Sequence, residues 1–287
     1  MNGDPNRDIR VGLSVMPTDD FLRATLPLFE GGEVDVVEWS FDTAWTDRDL
    51  PSWMPPVLDD YADAGALLGH GTTYSPLSAV FGDEHRDWLA RAKTAMTRRP
   101  YQSVTEHFGF MIAGAFEFCA PMPVPYTQAA VRIGVDRLRR LKDAVGVDVG
   151  LENLALAFGD ADVRDQGPFL EDLLAPVGGF LVLDLHNIHC QARNFDRDPI
   201  ELLEAYPLAR VRQLHVSGGS WSNRGVRQDT HDAEVPEEVF ALVPEAARMC
   251  SGLRHVILER VGGTLRTASD DARFAEDFRR LRALLRS

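Results

Sequence analysis

Short apolar segments alternate with amphipathic segments along almost the whole chain, and this alternation limits the possible folds more than any other feature. Eight segments are typical of buried β-strands, at 9–15, 35–41, 66–71, 103–110, 147–153, 179–187, 211–216 and 255–259. Helical patterns follow them at 19–30, 57–64, 83–97, 126–145, 168–175, 199–206, 236–249 and 272–285. In a chain of 287 residues this order predicts an α/β fold with one (β/α)8 TIM-type barrel over residues 9–287, preceded by a flexible tail at 1–8. An open doubly wound sheet would be favoured by a glycine-rich phosphate turn after the first strand, and the sequence has none there.

Charge and cysteine content exclude several classes of protein. The formal net charge is −14, which argues against a general nucleic-acid binder. The sequence has no run of 18 apolar residues and its start lacks the apolar core of a signal peptide, so we expect neither a membrane partner nor export. Three cysteines without C-x-x-C spacing indicate a reducing compartment, and we expect a cytoplasmic protein.

Polar residues collect at the C-terminal ends of the predicted strands. In chain order they are Glu38, His70, Glu106, His107, Glu152, Asn153, residues 184–187, His215 and Glu259. Barrel enzymes gather their catalytic groups at this face, and lone charged groups are costly to bury. Imidazoles with carboxylate and amide oxygens, and no thiolate motif, suit iron, manganese or zinc. The candidates outnumber the ligands of one ion, so the pattern predicts two or three metal ions.

The segment 213–232 is the richest in potential ligands. The seventh strand delivers His215 near its end and then breaks at Gly218 into a polar loop that carries Asp229 and His231. In an extended segment these two side chains lie on the same side, because side chains alternate with a period of two. One strand and its loop thus offer three possible ligands, although a core histidine and a solvated turn would have the same sequence.

Some strand-end residues are expected to support the ligands rather than to bind metal. Asp184 and His186 share a face of the predicted sixth strand, so one could bind an ion while the other orients it. Glu106 precedes His107 and could form a hydrogen-bonded pair with it. We therefore assign Glu106, Asp184 and His186 to supporting roles, and leave Glu38 outside the ligand set as a supporting or salt-bridged group.

Several short motifs together resemble the multinuclear non-haem iron-dependent oxidative enzymes. They are Thr-Glu-His ending at 107, Leu-Glu-Asn ending at 153, Leu-Asp-Leu-His-Asn ending at 187, Leu-His-Val-Ser-Gly with His215, Asp-Thr-His-Asp at 229–232 and Leu-Glu-Arg with Glu259. The likeness runs from the third strand to the eighth. That family includes the enzyme that forms the oxazolone and thioamide groups of methanobactin and the enzyme that excises a β-carbon from a peptide cysteine in 3-thiaglutamate biosynthesis.

The resemblance implies a xylose-isomerase-like barrel with two or three irons (Fe2+/Fe3+) at its mouth. Carried over position by position, it implies eight ligands: His70, His107, Glu152, Asn187, His215, Asp229, His231 and Glu259. It further implies that dioxygen is used to modify a cysteine of a ribosomally synthesised precursor peptide, often presented by a small leader-binding companion protein. Many members place a further histidine where this chain has Gly219, and the segment 186–189 has more imidazole than is usual.

Other functions remain open on the sequence alone. A divalent-metal sugar isomerase or epimerase of the same barrel class would use one or two ions and carboxylates for proton transfer. A trinuclear zinc nuclease shares the barrel and the ligand types, but the charge of −14 disfavours it. A non-catalytic metal-binding module would not explain ligands drawn from most of the strands.

Overall fold

Eight parallel strands close into a barrel within residues 9–113 and 116–286, the parts of the chain that the structure, a computed structural model, describes. The predicted tail at 1–8 lies outside the described residues. The strands are β1 (Arg10–Ser14), β2 (Val36–Trp39), β3 (Leu67–Gly71), β4 (Ser103–His107), β5 (Phe110–Ala113), β6 (Phe116–Met122), β7 (Asp148–Glu152), β8 (Phe180–Asp184), β9 (Val211–Val216) and β10 (His255–Leu258).

The barrel strands follow one another in chain order around the sheet. Each pairs in parallel with the next, and β10 closes the ring on β1 with Arg10 opposite His255. Strands β5 and β6 stand outside the ring as an antiparallel hairpin between β4 and β7. The predicted (β/α)8 barrel is therefore confirmed.

Helices cover the outside of the barrel. They are α1 (Asp19–Glu30), α2 (Met54–Asp63), α3 (Asp83–Arg98), α4 (Gln128–Val145), α5 (Asp160–Leu174), α6 (Leu185–Phe195), α7 (Pro199–Glu204), α8 (Glu237–Met249) and α9 (Ala268–Leu284). Short 3-10 turns lie at Phe41–Thr43, Asp47–Asp49, Ala175–Val177 and Leu208–Arg210. In the described part of the chain, none of the helices combines the length and the apolar character needed to cross a bilayer.

Two predicted strands extend too far. The fourth ends at His107, because the chain turns at Gly109, whose φ of +143° suits glycine, and continues into the hairpin. A side chain at Gly109 would also meet the backbone of Met122 on β6. The sixth strand was predicted to reach residue 187 and is wrong beyond Asp184, where helix α6 begins.

An apolar layer inside the barrel lies below the polar strand ends. Val36, Leu68 and Ile257 form a small buried cluster, separate from the large core between the strands and the helices. Two residues further along each of these strands, on the same face, come the buried polar side chains of Glu38, His70 and Glu259. Because side chains alternate along a strand, the inward-facing residues of these strands form an apolar layer with a polar layer above it.

Candidate metal centre

Three groups of possible metal ligands lie side by side at the C-terminal mouth of the barrel. Within each group the ligand atoms lie within 4.8 Å of one another. The first cluster is His70, His107 and Glu152; the central cluster is Glu152, Asp184, His215 and Glu259; the third cluster is Asp184, Asp229 and His231. Glu152 belongs to the first two clusters and Asp184 to the last two. The shared carboxylates therefore link three positions into one row.

The first cluster joins the ends of β3, β4 and β7. Nε2 of His70 lies 3.4 Å from Oε2 of Glu152, and Nε2 of His107 lies 3.7 Å from the same oxygen. The two imidazole rings are 4.7 Å apart between centroids. The side chain of His107 is 23% exposed, whereas that of His70 is 5% exposed, so the His107 side of this cluster faces solvent.

The central cluster is the most deeply buried. Nδ1 of His215 lies 3.2 Å from Oε2 of Glu259 and 3.5 Å from Oε1 of Glu152. None of its four side chains is more than 6% exposed. On the other side of the ring, Nε2 of His215 lies 3.1 Å from Oε1 of Glu38. Glu38 thus contacts the ring nitrogen that does not face the cluster.

The third cluster is built on the loop after β9. Nε2 of His231 lies 2.8 Å from Oδ1 of Asp229, and Nδ1 of His231 lies 3.8 Å from Oε2 of Glu259. His231 has a φ of +51°, an uncommon backbone conformation for a residue with a side chain. Its carbonyl accepts a hydrogen bond from the backbone N–H of Val261, which ties this loop to the next one.

Asp184 has a different position from the one predicted. It is not on a strand face shared with His186: its Oδ1 caps helix α6 by accepting a hydrogen bond from the backbone N–H of Asn187 at 2.6 Å. Its Oδ2 is buried without a hydrogen-bond partner among the described residues. Asp184 was expected to support other ligands, and its position in two clusters makes it a candidate ligand as well.

Asn187 is the one predicted ligand that is not a His, Cys, Asp or Glu residue, and it is therefore not a member of the three clusters. Its Nδ2 donates to the carbonyl of Asn153 at 2.8 Å, and its Oδ1 is buried without a hydrogen-bond partner in the described chain. Asn153 in turn accepts a hydrogen bond from the backbone N–H of Asp184 at 2.7 Å. At the end of β7, Glu152 therefore belongs to two of the clusters, and Asn153 holds the start of α6 in place.

His186 supports the third cluster from helix α6. Its Nδ1 lies 3.0 Å from Oδ1 of Asp229, and its Nε2 lies 3.3 Å from Nη2 of Arg227. Arginine can only donate, so Nε2 of His186 accepts and Nδ1 carries the proton that is donated to Asp229. Arg227 is buried, with its Nε unpaired among the described residues. The sequence did not single out Arg227 for this role because its loop position indicated exposure.

Two further supporting contacts lie beside the first cluster. Thr105 was missed from the sequence; its Oγ1 lies 2.8 Å from Nδ1 of His70, which leaves Nε2 of the ring towards Glu152. Glu106 accepts hydrogen bonds from the backbone N–H groups of Tyr74 and His107, at 2.6 and 2.8 Å. Glu106 therefore fixes the backbone that carries His107 and is not hydrogen-bonded to its ring.

The clustered charges shift the acid–base properties of the site. Burial by itself would raise the pKa of Glu152, but the imidazoles of His215, His107 and His70 outweigh it and hold that pKa at about 2. Burial, followed by the charges of Asp229 and Glu152, raises the pKa of Asp184 well above its usual range.

The histidines respond in the opposite direction. Burial would lower the pKa of His215, but Glu259, Glu38 and Glu152 raise it well above the ordinary value. Asp229 and Glu259 likewise outweigh burial and raise the pKa of His231. Carboxylates that favour a protonated imidazole to this extent would equally favour a metal cation between them, and protons would compete with metal for the same nitrogen atoms.

Buried polar atoms without partners show that these residues fit bound cations. Four atoms of the clusters and of Asn187 have no hydrogen-bond partner among the described residues: Oδ2 of Asp184, Oδ1 of Asn187, Nδ1 of His215 and Oε2 of Glu259. Unpaired polar atoms are costly to bury, and bound cations would satisfy them. The residues therefore form possible metal-binding clusters of imidazole and oxygen ligands.

Fold and cluster together define a (β/α)8 barrel with a metal-type ligand set at its mouth, and solved structures share the fold. The chain is similar to endonuclease IV from Thermus thermophilus, with a TM-score of 0.59, 18% identity and coverage of 96% of this chain and 99% of that one. It is also similar to a D-tagatose 3-epimerase-like protein, with a TM-score of 0.59, 13% identity and coverage of 97% and 98%. A third match is the IOLI protein with a binding zinc atom, with a TM-score of 0.58, 13% identity and 96% coverage of both chains. At these identities the likeness shows the xylose-isomerase-like barrel fold alone.

Sequence comparison identifies the family. Residues 49–270 match the model for the RiPP precursor modification enzyme MbnB/TglH/ChrH, and the chain belongs to this family. A UPF0276 protein of Caulobacter vibrioides (strain NA1000 / CB15N) is 32% identical over 193 residues, covering 67% of this chain and 68% of that protein. A UPF0276 protein of Acinetobacter baylyi is 27% identical over 207 residues, covering 71% and 70%. The protein is therefore a member of an enzyme family that modifies RiPP precursor peptides, as the sequence motifs predicted.

Proposed function

We propose that this protein is an iron-dependent oxidative enzyme that uses dioxygen to modify a cysteine of a ribosomally synthesised precursor peptide. The observation that carries the proposal is the row of three linked imidazole and carboxylate clusters in a chain of the RiPP precursor modification family. The ligand types suit iron, and the resemblance of the motifs favours iron over manganese or zinc.

Up to three ions would be held by the residues of the three clusters. Seven of the eight ligands expected from the sequence lie in the clusters, and Asp184 is an additional candidate. Asn187 would add an amide oxygen through its unpaired Oδ1. Bound iron would supply the activation of dioxygen and a coordination position for the substrate thiolate.

The protein's own side chains would orient the ligands and limit the access of water. Glu38 holds the far side of the His215 ring and Thr105 that of His70, so each ring presents its other nitrogen to the clusters. The central cluster is closed to solvent, while parts of the first and third are partly exposed. This arrangement suits a substrate that contacts the first or the third cluster while water stays excluded from the central one.

Partners beyond the peptide are proposed from the same family resemblance. A small companion protein would bind the leader of the precursor and present its cysteine to the barrel mouth. Co-expression with and without a neighbouring companion gene tests this part separately, by comparing the fraction of peptide modified.

Metal content tests the centre directly. Glu152 is shared by two clusters, so Glu152→Gln should lower iron binding at two positions, and protein purified without oxygen should lose more than one iron per chain. His255→Gln is the matched control, because His255 lies at the opposite end of the barrel, beside Arg10. Elemental analysis of both variants and the unaltered protein measures the effect. Full iron stoichiometry in Glu152→Gln would contradict the assignment of the shared ligand.

Reaction chemistry needs its own experiment. The protein is co-expressed with the cysteine-containing peptide encoded beside its gene, and the peptide mass is measured. The proposal expects a mass change that requires iron, oxygen and the cysteine, and that is lost in a Cys→Ser variant of the peptide. Turnover of a free sugar without oxygen, with no change in the peptide, would replace the proposal with the isomerase alternative.

A further inference from the structure

One part of the barrel mouth is almost without charged residues. The loops after β3, β4 and β7 span residues 72–82, 108–127 and 153–159, and their sequences contain one charged residue, Glu117. Over the whole chain 26% of residues are charged and the net charge is −14. The loop 217–236, after β9, carries five charged residues. The difference marks the described residues of these three loops, which leave out 114 and 115, as one surface, named here the neutral arc.

The neutral arc is continuous in space. Strand β3 pairs with β4, and β4 pairs with β7, so the three loops leave the barrel side by side. Large apolar side chains stand exposed on it, chief among them Val80 at 69% and Phe158 at 68%. Of the nine exposed large apolar side chains among the described residues, five lie on the neutral arc, three on the loops after β9 and β10, and Leu26 on α1. An apolar surface with almost no charged residues is typical of an interaction site.

The neutral arc lies directly beside the first cluster. Its loops begin immediately after the strands that carry His70, His107 and Glu152. His107, the partly exposed member of this cluster, ends β4, and the loop 108–127 of the arc begins at the next residue. A molecule bound on the arc would therefore have the first cluster at its edge.

We infer that the neutral arc binds an uncharged, apolar segment of the precursor peptide next to the reacting residue, an inference that rests on the proposed function. Covering charged side chains with a peptide would cost desolvation energy, and an arc without them avoids that cost in a chain that is otherwise strongly acidic.

The hairpin of the arc is fastened to the neighbouring loop 72–82. In the described residues, β5 pairs with β6. On its other side, the backbone N–H of Met111 donates to Oγ of Ser75, and the carbonyl of Ile112 accepts from Oγ of Ser78. The hairpin and the loop 72–82 therefore form one connected part of the arc.

Charge insertion on the arc tests the inference. The variants are Val80→Asp and Phe158→Asp, and Leu26→Asp on α1 is the control, since Leu26 is also apolar and exposed but lies off the mouth. The probe is the cysteine-containing peptide encoded beside the gene, labelled with fluorescein, and its Kd is measured by fluorescence anisotropy with iron-loaded protein. Each arc variant should raise the Kd about tenfold, as for loss of an apolar anchor, and the control should leave it unchanged.

The remaining outcomes separate this inference from the proposed chemistry. A Kd unchanged in both arc variants overturns the inference, as does failure of the unaltered protein to bind the peptide. A Kd that rises as expected while the peptide mass never changes supports the arc and contradicts the oxidative function. If the arc variants reduce only the amount of companion protein that co-purifies with the enzyme, and leave the Kd of the peptide unchanged, the arc binds the companion protein and the inference is wrong. Val80→Ser and Phe158→Ser are judged by the same criteria if aspartate lowers the melting temperature.

Discussion

At the scale of single residues, the candidate centre depends on side chains that bind no metal themselves. His186 donates to Asp229 only because Arg227 occupies its other nitrogen, and a reversed ring would present a lone pair to the carboxylate. A Cβ atom at Gly219 would lie 2.3 Å from the carbonyl oxygen of Gln228 and 2.8 Å from Cε1 of His186. The backbone of Gln228 and the imidazole on α6 therefore both exclude a side chain at 219.

Removing the arginine tests this chain of contacts. Arg227→Met keeps much of the side-chain length but cannot donate, so His186 should lose its fixed orientation and the third cluster should weaken. We expect metal affinity at one position to fall about 10-fold to 100-fold, the usual effect of losing such a partner. Titration calorimetry with Fe2+ under anaerobic conditions measures it. Arg224→Met, an exposed position in the same loop, should behave like the unaltered protein, and equal affinities in the two variants would refute the role of Arg227.

At the scale of elements, the start of α6 shows where sequence patterns reach their limit. Residues 179–187 form an apolar run that fits a long buried strand, and periodicity cannot distinguish it from a strand followed by a buried helix. The helix begins at Leu185 because the Asp184 side chain caps it, and residues 185–192 are buried on all sides. The hairpin of β5 and β6 was missed for a similar reason, since Gly109 turns the chain between two apolar residues, Phe108 and Phe110, where the pattern shows no break.

Asp184 has two separable roles, as a helix cap and as a negative charge. Asn caps helices as well as Asp does, so Asp184→Asn should keep the fold while weakening the two clusters that share the carboxylate. Asp184→Ala should lose both roles, with the cap worth about 1 kcal/mol. In metal-free protein, thermal unfolding should show Asn at or above the unaltered protein, because the burial and the neighbouring carboxylates that raise the pKa of Asp184 also oppose its ionised form, and Ala below it. A lower melting temperature for Asn than for Ala would contradict this division.

At the scale of the whole molecule, the barrel could be predicted because its evidence is spread over the entire chain. Eight strand patterns, most of them carrying Glu, His or Asp near their ends, point to one mouth, and an error in one strand leaves that conclusion intact. The supporting contacts could not be predicted. Glu38 on β2 meets His215 on β9, with two strands between them in the ring and 177 residues away in sequence, and no local pattern encodes such a pair.

The closed end of the barrel gives a stability prediction that is independent of metal. His255 is 7% exposed, and its Nε2 lies 2.9 Å from Nη2 of Arg10. Burial, then the charge of Arg10, lowers the pKa of His255 to about 4. The folded protein therefore keeps this imidazole neutral at pH values where the unfolded chain, with a pKa of about 6.5, takes up a proton.

The sign of the pH effect follows from that difference. Stability from His255 is fully present above about pH 6.5 and is lost as the pH falls towards 4, because the unfolded state then binds the additional proton. At pH 5 the loss should be about 2 kcal/mol. The glutamine of His255→Gln can still accept a hydrogen bond from Arg10 but does not titrate. Between pH 7 and pH 5, the free energy of unfolding of the unaltered protein should therefore fall by about 2 kcal/mol more than that of the variant. Urea unfolding of the metal-free proteins at both pH values measures the two losses. If both proteins lose the same free energy of unfolding between pH 7 and pH 5, His255 is protonated in the folded barrel, where it would lie beside the cation of Arg10.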